Sequence, residues 1–346
     1  MRSFIFKLLL VLAAPVLALV VLELGLRIFQ TGRLYLVESS PHYIDEIGFA
    51  LKPNFKGWWH GARYEINANG FRMPEDIQTT TNRLRILALG DSVTEGYCVT
   101  DVEDVWPMRL QSRLNTSNES AYVVNSGVAA WNLIDAGSTN IMESGQFYRF
   151  LTGDAALYDP DVIIYCICMN DFPGRVNNLF EAENKQNKKR FKLFPEEWRG
   201  FLKRKAFYRL ARDWYREQKF FTLDFSSIPT PDQSEEYWQR ITDELAALQK
   251  AATGMDAKFA CIIWPYSYQV LPANQDLKII NERLKQSMSA LSIPYRDMLD
   301  QLNTTNVLSN YVLGDYIHPN AQGQDLIARA AAELISEISP STHEAP

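Results

Sequence analysis

Histidine and cysteine are scarce in this chain, at four residues each among 346. The scarcity matters because metal centres are built from these side chains. Cys98, Cys166, Cys168 and Cys261 form no C-x-x-C pair and have no histidine at zinc-like spacing, which argues against a metal site. Cys166, Cys168 and Cys261 instead sit in apolar, strand-like runs and read as buried thiols that pack as small hydrophobes. An excess of basic residues is lacking too. With 35 Lys and Arg against 41 Asp and Glu, the net charge of −6 is opposite in sign to the footprint of a general nucleic-acid binder. No internal repeat or low-complexity tract appears, and only a polar tail, residues 341–346, departs from a globular composition. What is present, 47% hydrophobic residues over this length, suffices for one large α/β domain with a sizeable core and room for an insertion.

Long apolar runs are absent except at the N-terminus. Arg2 and Lys7 precede an uncharged stretch over residues 8–22, which Leu24, Leu26, Ile28 and Phe29 continue. The stretch alone is shorter than the about 20 residues of a spanning helix, but residues 4–29 together predict a single-pass signal anchor over residues 1–30. A cleaved signal peptide is the rival, with its small-residue site after Ala18 and an oddly apolar mature start. The positive charges ahead of the run place the rest of the chain outside the cytoplasm, in the periplasm if the source is a Gram-negative bacterium. Attachment to a bacterial inner membrane, with envelope or polysaccharide-export partners, is the corresponding expectation.

Residues 31–83 mix glycines, aromatics and short alternating pieces, which predicts a hairpin-like lead-in packed on the domain. Five short apolar runs follow, at 85–89, 122–125, 162–168, 259–264 and, more weakly, 295–298, separated by helix-length segments. This alternation predicts a three-layer α/β/α sandwich around a parallel, flavodoxin-like sheet of about five strands, spanning residues 84–340. Some 85 residues separate Asp171 from Lys258, far more than a crossover needs, and predict a helical insertion at about 172–257. Within it, residues 185–219 hold thirteen Lys or Arg and four Asp or Glu, interleaved with aromatics such as Trp198, Phe201 and Trp214. That run reads either as a solvated helical face or as a basic flap beside the active site or a membrane.

The stretch "ILALGDSVTEG", residues 86–96, carries a strand straight into Gly90-Asp91-Ser92. Alone it describes a helix N-cap equally well. Open parallel sheets react at the C-terminal ends of their strands, and "NSGVAAWN" after the second run and "CMNDF" after the third converge with Ser92 on that edge. A serine there becomes a nucleophile only when an imidazole takes its proton. His42 and His60 lie in the lead-in and His343 in the tail, which leaves His318 in "GDYIHPNAQG". Asp315, three residues earlier, is spaced to hold the imidazole through Nδ1 while Nε2 faces Ser92. The alternative hydrolase elbow, G-x-S-x-G, is absent around Ser92.

Taken in order, Gly90-Asp91-Ser92, Asn170-Asp171 and the D-x-x-H-P of Asp315, His318 and Pro319 resemble the SGNH or GDSL hydrolase superfamily over roughly residues 84–338. Trp106-Pro107 is similar to a pair often found on that superfamily's first helix. The resemblance implies a serine esterase without metal or cofactor, in which Ser92 is acylated, His318 is the general base and Asp315 orients it. It also implies an oxyanion and substrate side formed by the Ser92 N–H, the block containing Gly127 and Ala130, and the Asn170 amide. Two positions depart from the pattern. Ala130 stands where the second block commonly has its donating glycine, and an alanine is strained there if the turn needs a positive φ. Cys168 replaces the glycine of the third block and reads as a packing residue. The implied substrate is an acyl or acetyl ester of envelope or exported carbohydrate or lipid. The alternatives are an O-acyltransferase using the same triad on a polysaccharide and a non-catalytic carbohydrate-binding subunit of an export assembly.

Overall fold

The structure, a computed structural model, describes residues 2–28, 40–77, 83–116, 120–134, 145–172, 206–219 and 234–339. Its centre is a five-stranded parallel sheet formed by β5 (Leu84–Gly90), β6 (Ala121–Gly127), β7 (Val162–Cys168), β8 (Lys258–Trp264) and β9 (Tyr295–Asp297). The runs "VIIYCIC" and "FACIIW" are continuously apolar because these strands are buried along their length, as strands covered on both faces must be. The spatial order β6-β5-β7-β8-β9 is the flavodoxin-like arrangement, whose switch point falls between β5 and β7. Gly90 pairs with both Gly127 and Cys166, so β5 and β6 finish level while β7 runs two residues further to Cys168, and the chain leaves this edge of the sheet at Ser92 and at Asn170.

Helices α3 (Trp106–Thr116) and α8 (Ala321–Ile338) pack on one another and on the sheet; α4 (Gln146–Thr152), α6 (Glu235–Thr253) and α7 (Ile279–Ala290) form a second group. α6 buries Trp238, Ile241, Leu245, Leu248 and Ala252 at helical spacing in the main core, so it is the crossover helix into β8. The expected insertion at 172–257 therefore ends earlier than its spacing suggested, because its last helix carries an apolar stripe that the sheet requires. One described element remains from the excess chain, α5 (Ala206–Lys219). Residues 173–205 and 220–233, with Trp198, Phe201 and most of the basic run, lie outside the described residues, as does the 341–346 tail.

The lead-in forms two antiparallel hairpins, β1 (His42–Ile44) with β2 (Phe49–Leu51) and β3 (Lys56–Trp59) with β4 (Ala62–Glu65), around a small core of Leu51, Ala62, Tyr64 and Ile66. Arg72 joins it to the domain: fully buried, it donates to the carbonyls of Arg63, Gly96 and Val99 and lies over the Tyr64 ring.

At the N-terminus, Arg2–Ile28 is a single helix, α1, with Pro15 inside it. The sequence predicts a membrane-spanning anchor here, yet no helix among the described residues is long and apolar enough to cross a membrane. The fifteen-residue run over 8–22 is shorter than the about 20 residues a span needs, and it ends at Glu23. Glu23 is buried with one partner on its own helix and one from α5: its carboxylate takes the Arg27 guanidinium at 2.8 Å and the Phe207 N–H at 3.2 Å.

Candidate active site

β5 ends at Gly90, where a Cβ would lie 2.1 Å from Thr94 Oγ1, so only glycine lets the chain fold back this tightly. Asp91 then caps the four-residue helix α2 (Ser92–Glu95), its Oδ1 accepting the Val93 N–H at 2.9 Å, and Gly96 closes it at φ +83°. Trp106 and Gln324 hold α2 in place. The Trp106 indole donates to Thr94 Oγ1 at 3.3 Å, its backbone N–H donates to Gln324 Oε1 at 2.8 Å, and Gln324 Nε2 donates to the Val93 carbonyl at 3.0 Å. The first residues of α2, α3 and α8 thus fix one another, and Ser92 is presented from a rigid turn.

His318 arrives on the loop before α8. Asp315 Oδ1 accepts the backbone N–H groups of Ile317 and His318 at 2.8 and 3.0 Å, and its Oδ2 lies 2.8 Å from His318 Nδ1. The Trp264 indole pins the same loop through the Ile317 carbonyl at 2.8 Å. His318 Nε2 stands 3.0 Å from Ser92 Oγ, 226 residues away in sequence. With Nδ1–H given to Asp315, Nε2 is the acceptor for the serine hydroxyl. Asp91 Oδ2, at 3.3 Å from the same hydroxyl, is the weaker acceptor by distance. Burial alone would lower the His318 imidazole and raise the Asp315 carboxyl. Their mutual attraction outweighs both, leaving His318 above its ordinary 6.5 and Asp315 below the usual carboxylate range. This geometry can move a proton from a serine hydroxyl to a carboxylate-held imidazole.

Three other sequence-predicted residues lie at or just beyond the C-terminal ends of β6 and β7, and they differ in what they do. The Asn170 Nδ2 donates to Asp91 Oδ2 at 2.5 Å, which spends one of its two N–H groups, while its Oδ1 has no partner among the described residues. Burial raises the Asp91 carboxyl, and burial together with the nearby Asp91 charge pushes Asp171 up further. Ala130 has φ +67°, the left-handed backbone that favours glycine, and its N–H has no acceptor among the described residues. Gly127 is different: its N–H bonds to Asn125 Oδ1 at 3.1 Å, and a Cβ on it would lie 2.1 Å from the Glu95 nitrogen. The expectation that Gly127 lines the oxyanion side is corrected. It is the point where β6 and the α2 backbone come closest, and its amide is already used.

Two features of the site were not read from the sequence. The Tyr97 ring lies 4.5 Å from that of His318 and 5.1 Å from that of His60. Glu95, fully buried, accepts from Tyr64 Oη at 2.8 Å and the Ala129 N–H at 2.6 Å, and meets His42 Nε2 at 2.9 Å. A cleft of about 150 Å³ beside Asp315 is lined by Tyr97, His60 and the α5 residues Arg209, Arg212 and Arg216, which brings the described part of the basic run to the site. Among the described residues no group of three or more His, Cys, Asp or Glu side chains is arranged to hold a metal ion.

Several solved structures resemble this chain. The psychrotrophic esterase EstA from Pseudoalteromonas sp., in a structure inhibited by monoethylphosphonate, is 16% identical, with 74% of this chain and 98% of that chain covered and a TM-score of 0.40. An acetyl xylan esterase is 11% identical over 72% and 99%, with a TM-score of 0.43. A carbohydrate acetylesterase family member from Sinorhizobium meliloti is 14% identical over 73% and 98%, with a TM-score of 0.38. No curated protein matches the sequence. The model of the GDSL-like lipase/acylhydrolase family matches residues 88–326, well over half of the chain and every block of the site from β5 to the Asp315–His318 loop. The chain therefore belongs to the GDSL-like lipase/acylhydrolase family and is an ester-hydrolysing enzyme.

Proposed function

We propose that the protein hydrolyses an acyl or acetyl ester through a covalent acyl-enzyme on Ser92. His318 Nε2 takes the Ser92 proton as Oγ bonds to the ester carbonyl carbon, and Asp315 stabilises the resulting imidazolium. The tetrahedral oxyanion is held by the N–H groups of Ser92 and Ala130 and the second Nδ2–H of Asn170. When the carbon–oxygen bond to the alcohol breaks, His318 returns the proton to the departing oxygen. Water repeats the cycle on the acyl-enzyme and releases the acid, leaving Ser92 and His318 as they began. The observation that carries this reading is the continuous contact from Ser92 Oγ to His318 Nε2 at 3.0 Å and from His318 Nδ1 to Asp315 at 2.8 Å.

The substrate in this reading is an ester of envelope or exported carbohydrate or lipid, met outside the cytoplasmic membrane with α1 attached to the bilayer. Support comes from the exposed Val16, Leu17, Val20, Val21 and Leu24 on α1, an apolar surface that water does not favour, and from the basic residues Arg2 and Lys7 ahead of it. Acetate release from acetylated carbohydrates and fatty-acid release from lipid esters by the purified protein test the substrate class, with Ser92→Ala as the blank. Turnover by Ser92→Ala at the wild-type rate rejects the mechanism. Acetylated sugar outweighing free acetate when a carbohydrate acceptor is present replaces hydrolysis with transfer. Flotation with anionic vesicles, lost when residues 1–30 are removed, tests the attachment.

A further inference from the structure

Glu95 stands three residues after Ser92 on α2, and its carboxylate leaves that helix to grip the turn after β6. The contact is short, 2.6 Å from Oε2 to the Ala129 N–H, as expected for a charge-assisted bond. The next residue is Ala130, at φ +67°. A residue with a Cβ is disfavoured in that conformation by about 5- to 30-fold, so something must hold it there. Bonds within the turn are modest: the Trp131 N–H reaches the Val128 carbonyl at 3.3 Å, and Asn132 Nδ2 reaches the Ala130 carbonyl at 3.0 Å. From outside, the flanks of the turn are held by the Val128 N–H on the Gly90 carbonyl at 3.1 Å, the Trp131 indole on the Phe49 carbonyl at 2.6 Å and the Asn132 N–H on Gln146 Oε1 at 3.0 Å. Glu95 supplies the charged tether at Ala129, directly ahead of Ala130. Its own position is over-determined, by His42 and Tyr64 from the two lead-in hairpins at its oxygens and by Arg72 at its carbonyl, 3.2 Å away. Burial would raise this carboxyl, but the His42 hydrogen bond and charge, the Ala129 N–H and the Tyr64 hydroxyl hold it below the ordinary range.

We infer that Glu95 is a positioning residue for ester hydrolysis: through the Ala129 amide it holds Ala130 in the left-handed backbone that offers an N–H to the oxyanion, with the lead-in hairpins as its support. One short helix then carries both the nucleophile and the anchor of the donor turn, so the two move together. The inference rests on the proposed role of the Ala130 N–H.

The test measures Glu95→Ala and Glu95→Gln, each with Ala130 and in an Ala130→Gly background, on a small acyl ester, with rates divided by the sites titrated by an organophosphonate. Glu95→Ala lowers kcat by about 10- to 100-fold, less than the 10²–10³ of deleting a donor outright, with KM within about threefold. Glu95→Gln, whose amide oxygen still accepts from Ala129, loses less. In the Ala130→Gly background the cost of Glu95→Ala shrinks at least about fivefold, because glycine adopts the turn without the tether. Wild-type kcat per titrated site in Glu95→Ala, or an equal cost in both backgrounds, overturns the inference. Should Glu95→Ala fail to fold, the same comparison between backgrounds with Glu95→Gln decides it. Ser92→Ala separates the two layers of the argument: turnover there removes the mechanism itself, whereas a dead Ser92→Ala beside an unimpaired Glu95→Ala removes only the tether.

Discussion

Two imidazole–carboxylate pairs lie in this one site, His318 with Asp315 at 2.8 Å and His42 with Glu95 at 2.9 Å. Their chemistry is the same and their surroundings are not. Asp315 is occupied by its own loop, and the far nitrogen of His318 faces the Ser92 hydroxyl. Glu95 is shared among a histidine, a tyrosine and a backbone amide, and among the described residues the far nitrogen of His42 meets only Ser40 Oγ, at 3.4 Å. The first pair is open at the end that touches the reactive atom; the second is closed at both ends. A carboxylate beside an imidazole does not by itself make a proton relay, and the partner of the second nitrogen decides whether the pair moves a proton or holds a backbone.

The sharpest way to break this contrast is to delete each imidazole. Ser92→Ala or His318→Ala is expected to lower kcat by at least about 10⁴-fold, while His42→Ala lowers it by less than about 30-fold, as measured on one small ester with folded protein confirmed by circular dichroism. Equal losses for the two histidines would erase the distinction. Next in size, Asp315→Asn is expected to cost about 10³–10⁴ in kcat by favouring the wrong imidazole tautomer, a value read from the same assay. Gly127→Ala tests the closed side. Its Cβ must push on the Glu95 nitrogen from 2.1 Å, so a loss of about 1–3 kcal/mol in denaturant unfolding is expected, with activity falling alongside. Unchanged stability and activity would mean that β6 and α2 are not in such close contact.

The smallest effect is a matter of pH. Because His318 is raised above 6.5, kcat/KM is expected to climb with pH through a midpoint above that value, and His42→Ala should leave the midpoint in place. The sign for stability runs the other way. A raised folded-state value contributes stability that is fully present below about 6.5 and is lost as pH rises through the folded value. A rate profile flat from pH 5 to 8 would remove His318 as the base.

Much of the sheet edge was legible because its signals are local. The run at 162–168 is β7 residue for residue, and β5 exceeds the expected 85–89 by one residue at each end, since a continuously apolar segment ending in Gly-Asp-Ser has little else to become. Asp315 and His318 are three residues apart and could be paired by spacing alone. His42 and Glu95 are 53 residues apart, on a hairpin and a helix, and nothing in either neighbourhood points to the other. In the sequence His42 therefore reads as part of the lead-in and nothing more. Gly127 looked like part of a donor block because its sequence context is one, whereas its role depends on how closely α2 passes it. The end of α6 in the core was hidden by chain length: the long separation of Asp171 from Lys258 was visible, but not which part of it packs on the sheet.

Covalent labelling shows whether Ser92 becomes acylated with His318 as its base. Incubation with an organophosphonate followed by intact-mass measurement and peptide mapping is expected to give one adduct per chain, on Ser92, forming faster as pH rises through the His318 midpoint and at a negligible rate in His318→Ala. An adduct on another residue, or labelling of Ser92→Ala at the wild-type rate, would contradict the account.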